Sequence, residues 1–505
     1  MIEIEPETET DTPYAVLKFG GTSVSTARRW GRIGATVRSM VQAGSHPVLV
    51  CSALSGITDA LEGLVASIER GEAPERALGE LEERHARLGA TLGIDSEAIL
   101  AESFAALRAE CAIGAHEAAR SDTWRARVIS SGERLSTKLG AAWLASQGIA
   151  ARWVDARTLL RALPEERHHL SACCGHAPDA SLQRRLREAG AEVTITQGFV
   201  ASNAEGETVL LGRGGSDTSA AYLASILEAQ RLEIWTDVPG LFTLDPRRCP
   251  GARLLPHASY DEAAVLAGLG AKILHPRCLP PLSAGGIPLR IRWTDRPELE
   301  GTLIGAPSDR RPAAVRAVTS RSGLCLVRMR RDRSWQPVGF MAEVSRCFHA
   351  RGLSMDLISS SPSEIRATID LPAQPGAEAL LPLLLEDLSE FCAPSLHLGL
   401  GCVSVVGSRV DARIEPMARA LEQLGRPALH LISHAADDTH TSYVIDASIV
   451  EPLAAALHET LFGADAVREA LGPSWSELQE AIRSDRRLRG QAPLSPPFGA
   501  AAVSA

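Results

Sequence analysis

Tyr14-Ala-Val-Leu-Lys-Phe-Gly-Gly-Thr-Ser23 reads as a buried strand, a double-glycine turn and the start of a helix. Lysine stands at the strand end, and the bare backbone of Gly20 and Gly21 can approach an anion at a helix start. Lys18 is then suited to neutralise charge on a transferring phosphoryl group. The same residues also suit an ordinary strand-to-helix turn with a surface lysine.

A second turn of similar design, Leu211-Gly-Arg-Gly-Gly-Ser-Asp217, precedes the helical run that starts at Ala220. Ser216 or Asp217 can cap that helix, and Arg213 offers a planar fork for a carboxylate. If the two turns abut at the strand ends, Asp217 can orient Lys18; otherwise it is a helix cap. Neither turn has the G-x-G-x-x-G spacing of dinucleotide folds, and no G-x-x-x-x-G-K-[ST] occurs, so phosphates must be held in another way. Ser130-Ser-Gly-Glu-Arg-Leu-Ser136 places Glu133 at a predicted helix start, where a carboxylate favours the dipole and capping alone would explain it.

Outward from these motifs, strands expected at Pro47–Cys51, Val193–Thr196, Thr208–Leu211, Leu232–Trp235 and Pro288–Arg292 alternate with helices, the pattern of a covered, largely parallel sheet. Residues 59–127 carry helical spacing with few strand formers, which predicts an inserted helical subdomain. Together, 13–306 reads as one α/β domain, and the breaker-rich stretch after Gly305 as a linker over 307–318. Two similar units follow, Gly339 to Asp370 and Val403 to Ile445, each strand, helix, strand. They predict two small ferredoxin-like folds over 319–398 and 399–468. Residues 1–12 and the last twenty are expected to be disordered, and 469–505 to be a helical then disordered tail; from about Gly472 the chain turns polar and Pro/Ala-rich, too poor in apolar residues to hold shape.

At 505 residues and 45% apolar content the chain can bury more than one core. Its net charge of -9 argues against a phosphate-backbone binder, so no nucleic-acid partner is expected. Ten cysteines show no C-x-x-C pair, and the vicinal Cys173 and Cys174 lack the partners of a zinc site; reduced thiols in a cytoplasm fit, with no protein-held metal. The first twelve residues lack the character of a signal peptide and no apolar run reaches a membrane span, so a soluble cytoplasmic protein with no membrane partner is expected.

Taken together the motifs resemble the aspartokinase family of the amino-acid kinase superfamily: KFGGTSV at 18–24, SSGERLS at 130–136, TQGF at 196–199, LGRGGSD at 211–217, WTDVPGLFTLDPR at 235–247 and GAKILHP at 270–276. The resemblance spans about 13–466 and implies a three-layer amino-acid kinase fold with a mostly parallel central sheet, followed by two ACT domains. It implies transfer of the γ-phosphoryl group of ATP, with Mg2+, to L-aspartate. By the same resemblance Lys18 and the Gly20–Gly21 turn would meet the β- and γ-phosphates, with Asp217 holding Lys18. Thr58, Glu133, Phe199 and Arg213 would bind aspartate, Glu133 facing its ammonium, Arg213 its α-carboxylate and Phe199 acting through its backbone. Thr236, Asp237, Phe242, Arg247, Lys272 and Ile273 match the surroundings of the nucleotide. Phe242 departs from the family, where tyrosine is common, and loses one hydrogen bond of about 0.5–1.5 kcal/mol.

The stretch from Trp335 through Gly352-Leu-Ser-Met-Asp356 resembles an ACT domain of the lysine-sensitive type, which places Ser354, Met355 and Asp356 in its effector loop. That implies lysine as effector and a homodimer or tetramer paired through the ACT domains. Pro362 breaks the family pattern where an acidic residue often stands, with Glu364 two positions on. A solvated turn at Asp356 within a dimerisation module is the alternative. Rivals for the whole chain are a non-catalytic amino-acid sensor of the same fold, or a relative acting on glutamate, acetylglutamate, carbamate or UMP.

Overall fold

Alternation along the first strand explains the layering. In a computed structural model, which describes residues 13–488 except 165–167, 272, 307–314, 332–337, 375, 408–413, 426 and 464–470, that strand is β1 (Tyr14–Phe19). Tyr14 and Val16 pack into one core with Ala220 and Leu223, while Ala15, Leu17 and Phe19 face the other way, onto Trp30 and Ile33. A strand buried on both faces needs helices on both, and period-two geometry sends Lys18 to the Tyr14 and Val16 side.

The next strands are β2 (His46–Cys51), β3 (Ala151–Trp153), β4 (Val193–Gln197), β5 (Val200–Ser202), β6 (Thr208–Leu210), β7 (Arg231–Thr236), β8 (His257–Ser259), β9 (Leu289–Trp293) and β10 (Thr302–Gly305). Eight of the first ten form one sheet in the order β3-β4-β2-β1-β7-β9-β10-β8. Pairing is parallel from β3 to β9 and antiparallel between β9 and β10. One expected strand of this sheet is corrected: Thr208–Leu210 leaves it and pairs antiparallel with β5. A run of four residues has no periodicity that tells a hairpin arm from a sheet strand. Within 59–127 lie most of the helix Ile57–Glu69, the helices Glu75–Leu92 and Ser96–Gly114, and the start of Asp122–Ile129.

The rest builds on a second sheet made of β11 (Val315–Arg330), β12 (Ile358–Ser360), β13 (Glu364–Asp370), β14 (Ala393–Gly407), β15 (Leu431–His434) and β16 (His440–Asp446). Its order is β12-β13-β11-β14-β16-β15, and every pairing is antiparallel. β11 starts at Val315, inside the stretch read as linker. Its first half pairs with the second half of β14, and its second half with β13 and the first half of β14. The two ferredoxin-like units thus share two long strands, with register shifts between Ser322 and Leu326 where one unit gives way to the other.

In the tail after residue 469, Trp475–Leu488 is a helix whose Trp475, Leu478 and Ile482 are buried, an i, i+3, i+7 stripe, so the segment from Gly472 buries more than its polar composition suggests. Of the expected disorder, 1–12 and 489–505 fall outside the described residues, whereas 486–488, the start of the last twenty, belong to the end of that helix. No helix among the described residues is long and apolar enough to cross a membrane.

Candidate active site

The first glycine turn lies beyond the carboxyl end of β1, a parallel strand, where ligands gather in open α/β sheets, and the second follows β6 and opens the helix Gly215–Ile226. Gly21 sits so close to the segment after β2 that an added Cβ would meet the Ala53 carbonyl at 2.7 Å. Gly214 adopts φ 67° as the residue before the helix Gly215–Ile226, and a Cβ there would strike the His275 ring. These constraints set the two turns side by side. Lys18, sent by strand alternation to the face covered by that helix, places Nζ 2.7 Å from Asp217 Oδ1, both side chains nearly buried. The condition under which Asp217 orients Lys18 is therefore met in the geometry.

A cavity of about 530 Å3 opens beside this pair, and Lys18, Thr58, Glu133, Phe199, Arg213 and Asp217 all line it. Glu133 is in the first turn of the helix Ser131–Ser146 and is 3% exposed. Its Oε1 accepts from the Ala53 amide at 3.3 Å, while Oε2 has no hydrogen-bond partner among the described residues. Burial pushes its carboxyl up to about 8, partly opposed by the Ala53 amide. A cation entering the cavity would find a carboxyl group with one unsatisfied oxygen.

Phe199 has a left-handed backbone, φ 69°; its amide donates to Ser219 Oγ at 2.8 Å and its carbonyl accepts from Leu211 N. The amide is thus taken, while the carbonyl, with a second lone pair, keeps room for a further donor at the cavity wall. Ser52, Glu62 and Ser216 line the same cavity; the sequence marks Ser216 only as a helix-cap candidate and the other two not at all. Glu62 follows Thr58 by one helical turn, a spacing that signals a shared face; nothing local marks Ser52, whose hydroxyl donates to Ser216 at 2.9 Å.

A larger cavity of about 890 Å3 shares Arg213, Gly214 and Asp217 with the first. Phe242, Arg247 and Ile273 line it, and so do Val318 to Ser322, Asp370 and Pro372 from the second sheet and its loops. Thr236 and Asp237 are not in its wall; Asp237 is joined to it through Arg247, 3.8 Å away. Lys272 lies outside the described residues. Arg213 donates to the Pro372 carbonyl at 3.3 Å, so the residue at the junction of the cavities touches the second sheet's unit.

Ser354, Met355 and Asp356 lie away from both cavities, before β12. Asp356 is exposed and also partnered: its Oδ2 accepts from Arg321 at 2.6 Å and from Thr368 Oγ1 at 3.3 Å. Arg321 also donates to Asp370 at 3.2 Å, and both Arg321 and Asp370 reach the larger cavity. Glu364 is committed to Arg328 and Arg366, and these arginines hold its carboxyl below the usual range.

A fold with two anion-receptive glycine turns at helix starts, and paired cavities meeting beside a nearly buried Lys–Asp pair, suits phosphoryl transfer between two bound anions. The family model described as "Amino acid kinase family" matches residues 13–292. The chain belongs to that family. Within it the relatives are aspartokinases: the lysine-sensitive aspartokinase 3 of Escherichia coli K12 is 30% identical over 88% of this chain and 99% of its own length. Aspartokinase 1, chloroplastic, of Arabidopsis thaliana is 28% identical over 90% of this chain and 81% of its own. The crystal structure of the E. coli aspartokinase III with aspartate and ADP, R-state, superposes with a TM-score of 0.75 at 29% identity, covering 89% of this chain and all of that one. The same enzyme with lysine and aspartate, T-state, gives 0.68 at 30% identity, covering 89% of this chain and 99% of that one. The chain is an aspartokinase by family.

Proposed function

We propose that the protein transfers the γ-phosphoryl group of ATP to the side-chain carboxylate of L-aspartate, giving ADP and 4-phospho-L-aspartate, as the entry step of aspartate-derived amino-acid synthesis. One observation carries this reading: two cavities meet at Arg213, Gly214 and Asp217, with Lys18 at the smaller one. The smaller cavity takes the amino acid and the larger the nucleotide.

In this arrangement Glu133 receives the substrate ammonium and Arg213 the α-carboxylate, leaving the β-carboxylate to face the junction. A carboxylate oxygen attacks the γ-phosphorus as the bond to the ADP oxygen breaks, and no proton needs to move. Lys18, held by Asp217, stabilises the charge spread over the transferring group, so positioning and electrostatics supply the acceleration. Phe242, Arg247 and Ile273 line the nucleotide cavity, with Thr236 and Asp237 behind Arg247.

Mg2+ keeps most of its ligands as water and phosphate and asks a protein for one or two carboxylates. Among the described residues no group of three or more His, Cys, Asp or Glu is set to hold a metal ion. Asp217, lining both cavities, fits as the carboxylate that would meet magnesium carried by the phosphates. The ion would add charge neutralisation at the phosphoryl group.

Regulation by an amino acid, lysine in the first instance, is proposed through Asp356, which would take the effector amine in exchange for part of its bond to Arg321. Exposed Ile358, Leu398 and Ile432 on the second sheet support assembly of two or four copies through that sheet.

The test is ATP- and magnesium-dependent acyl-phosphate formation, trapped with hydroxylamine, on aspartate beside glutamate, acetylglutamate and UMP, with and without lysine or threonine. Turnover on aspartate alone, suppressed by lysine, is expected. Silence on every substrate despite ligand binding would replace the enzyme with a sensor.

A further inference from the structure

After residue 470 the chain returns to the kinase half and lies along the segment that walls the larger cavity. Gly472 N donates to the Leu254 carbonyl at 2.8 Å, and Leu254 N to the Pro473 carbonyl at 3.0 Å. Trp475 N donates to Ala252 and Ser476 N to Pro250, each at 2.9 Å. Ser474 and Glu477 close a reciprocal cap, with Ser474 N donating to Glu477 Oε2 at 2.7 Å and Glu477 N to Ser474 Oγ at 3.2 Å. The Trp475 ring then stands edge-on to Phe242 at 5.9 Å and lies 5.6 Å from Trp293.

The segment from Asp237 to Leu254 leaves β7 and returns toward β8 without helix or strand of its own. Irregular backbone takes its position from whatever its polar groups and side chains meet. On one side it meets the second sheet's unit: Val318 N donates to Thr243 O at 2.8 Å, and Thr243 Oγ1 lies 2.8 Å from His458 Nε2. Residues 472–476 hold the other side. Phe242 has no hydroxyl to fix it: its backbone bridges to Leu254, and its ring in the cavity wall packs edge-on against Trp475.

We propose that Trp475 is a positioning residue for nucleotide binding, acting through Phe242, and that residues 472–476 strap the nucleotide-cavity segment into its working shape. This rests on the reading of the larger cavity as the nucleotide site. None of the residues lining the smaller cavity is in the strap or in the segment it holds, so the acceptor side is untouched.

The experiment compares Trp475→Ala and Trp475→Phe in the full chain. It reads calorimetric ATP affinity without aspartate, KM for each substrate, and the unfolding temperature. Trp475→Ala is expected to weaken ATP binding and raise its KM about tenfold, to leave KM for aspartate within about twofold, and to be largely rescued by Trp475→Phe. If the Ala variant does not fold, Trp475→Leu, which keeps apolar bulk without the ring edge, carries the same expectation at smaller size. A lower unfolding temperature with unchanged ATP affinity, or an equal rise in both KM values, overturns the proposal. If the wild-type protein binds no adenine nucleotide, the nucleotide reading of the cavity fails, and this inference with it.

Discussion

The two cavities meet at three residues yet are built in opposite ways. Lys18, Glu133 and Asp217, which define the smaller one, stand at the end of a central strand or in the first turn of a helix packed on the same sheet. The larger cavity is walled by an irregular segment, by residues of β11 and by the loop after β13. Acceptor chemistry thus rests on one rigid layer system, while the donor side is shared with another unit of the chain. Regulation can reach the donor side, and Arg213 through Pro372, without disturbing the Lys18–Asp217 pair.

The sharpest way to break this comparison is at the shared pair. Asp217→Asn keeps the shape but removes the charge that orients Lys18; turnover should fall at least about a hundredfold while the unfolding transition stays cooperative. Near-normal turnover would refute the role.

Glu133→Gln probes the rigid side alone. Its KM for aspartate should rise about tenfold or more, with KM for ATP little changed, because the lost interaction is a buried charge pair with the substrate ammonium. The pH response has a definite sign. Burial raises the carboxyl from its ordinary 4.5 to about 8, so the stability it contributes is full below 4.5 and lost as pH rises through about 8. Without ligand, Glu133→Gln should match the wild type near pH 5 and exceed it in unfolding temperature near pH 8. A constant gap across that range would show that Glu133 does not titrate there.

On the shared side, Asp356→Ala leaves Arg321 with Asp370 alone. The lysine concentration for half-inhibition should rise roughly five- to tenfold, the scale of about 1–1.4 kcal/mol for one charge-assisted contact, with turnover in the absence of lysine unchanged. An unshifted inhibition curve would place the effector elsewhere. The smallest effect is expected of Phe242→Tyr, where one added hydroxyl in the cavity wall should lower KM for ATP about two- to fivefold. A rise in KM would mean that the hydroxyl disturbs the packing against Trp475.

The same contrast governs what was legible in the sequence. The Lys18 and Arg213 turns could be read because glycine, lysine and acid stand within a few residues of one another. Glu133 could be placed at its helix start for the same reason, but the partner of its Oε1 is the amide of Ala53, eighty positions away. Arg213 meeting Pro372 and Asp356 meeting Arg321 are products of tertiary packing, to which no local pattern points. The expected run 208–211 does not tell a hairpin arm from a sheet strand because four residues carry no register, and nothing local marks the packing of Trp475 on Phe242.

The sharing of β11 and β14 has a consequence for anyone who would rebuild this protein. A cut between 398 and 399 looks natural on paper, yet the piece after it would lose the first half of β11, which pairs with the second half of β14. The second ferredoxin-like unit cannot be expressed, exchanged or circularly permuted by itself with its own sheet intact, because the first unit is inserted between its two long strands. A graft of the pair onto another enzyme would have to take 315–462 as one piece.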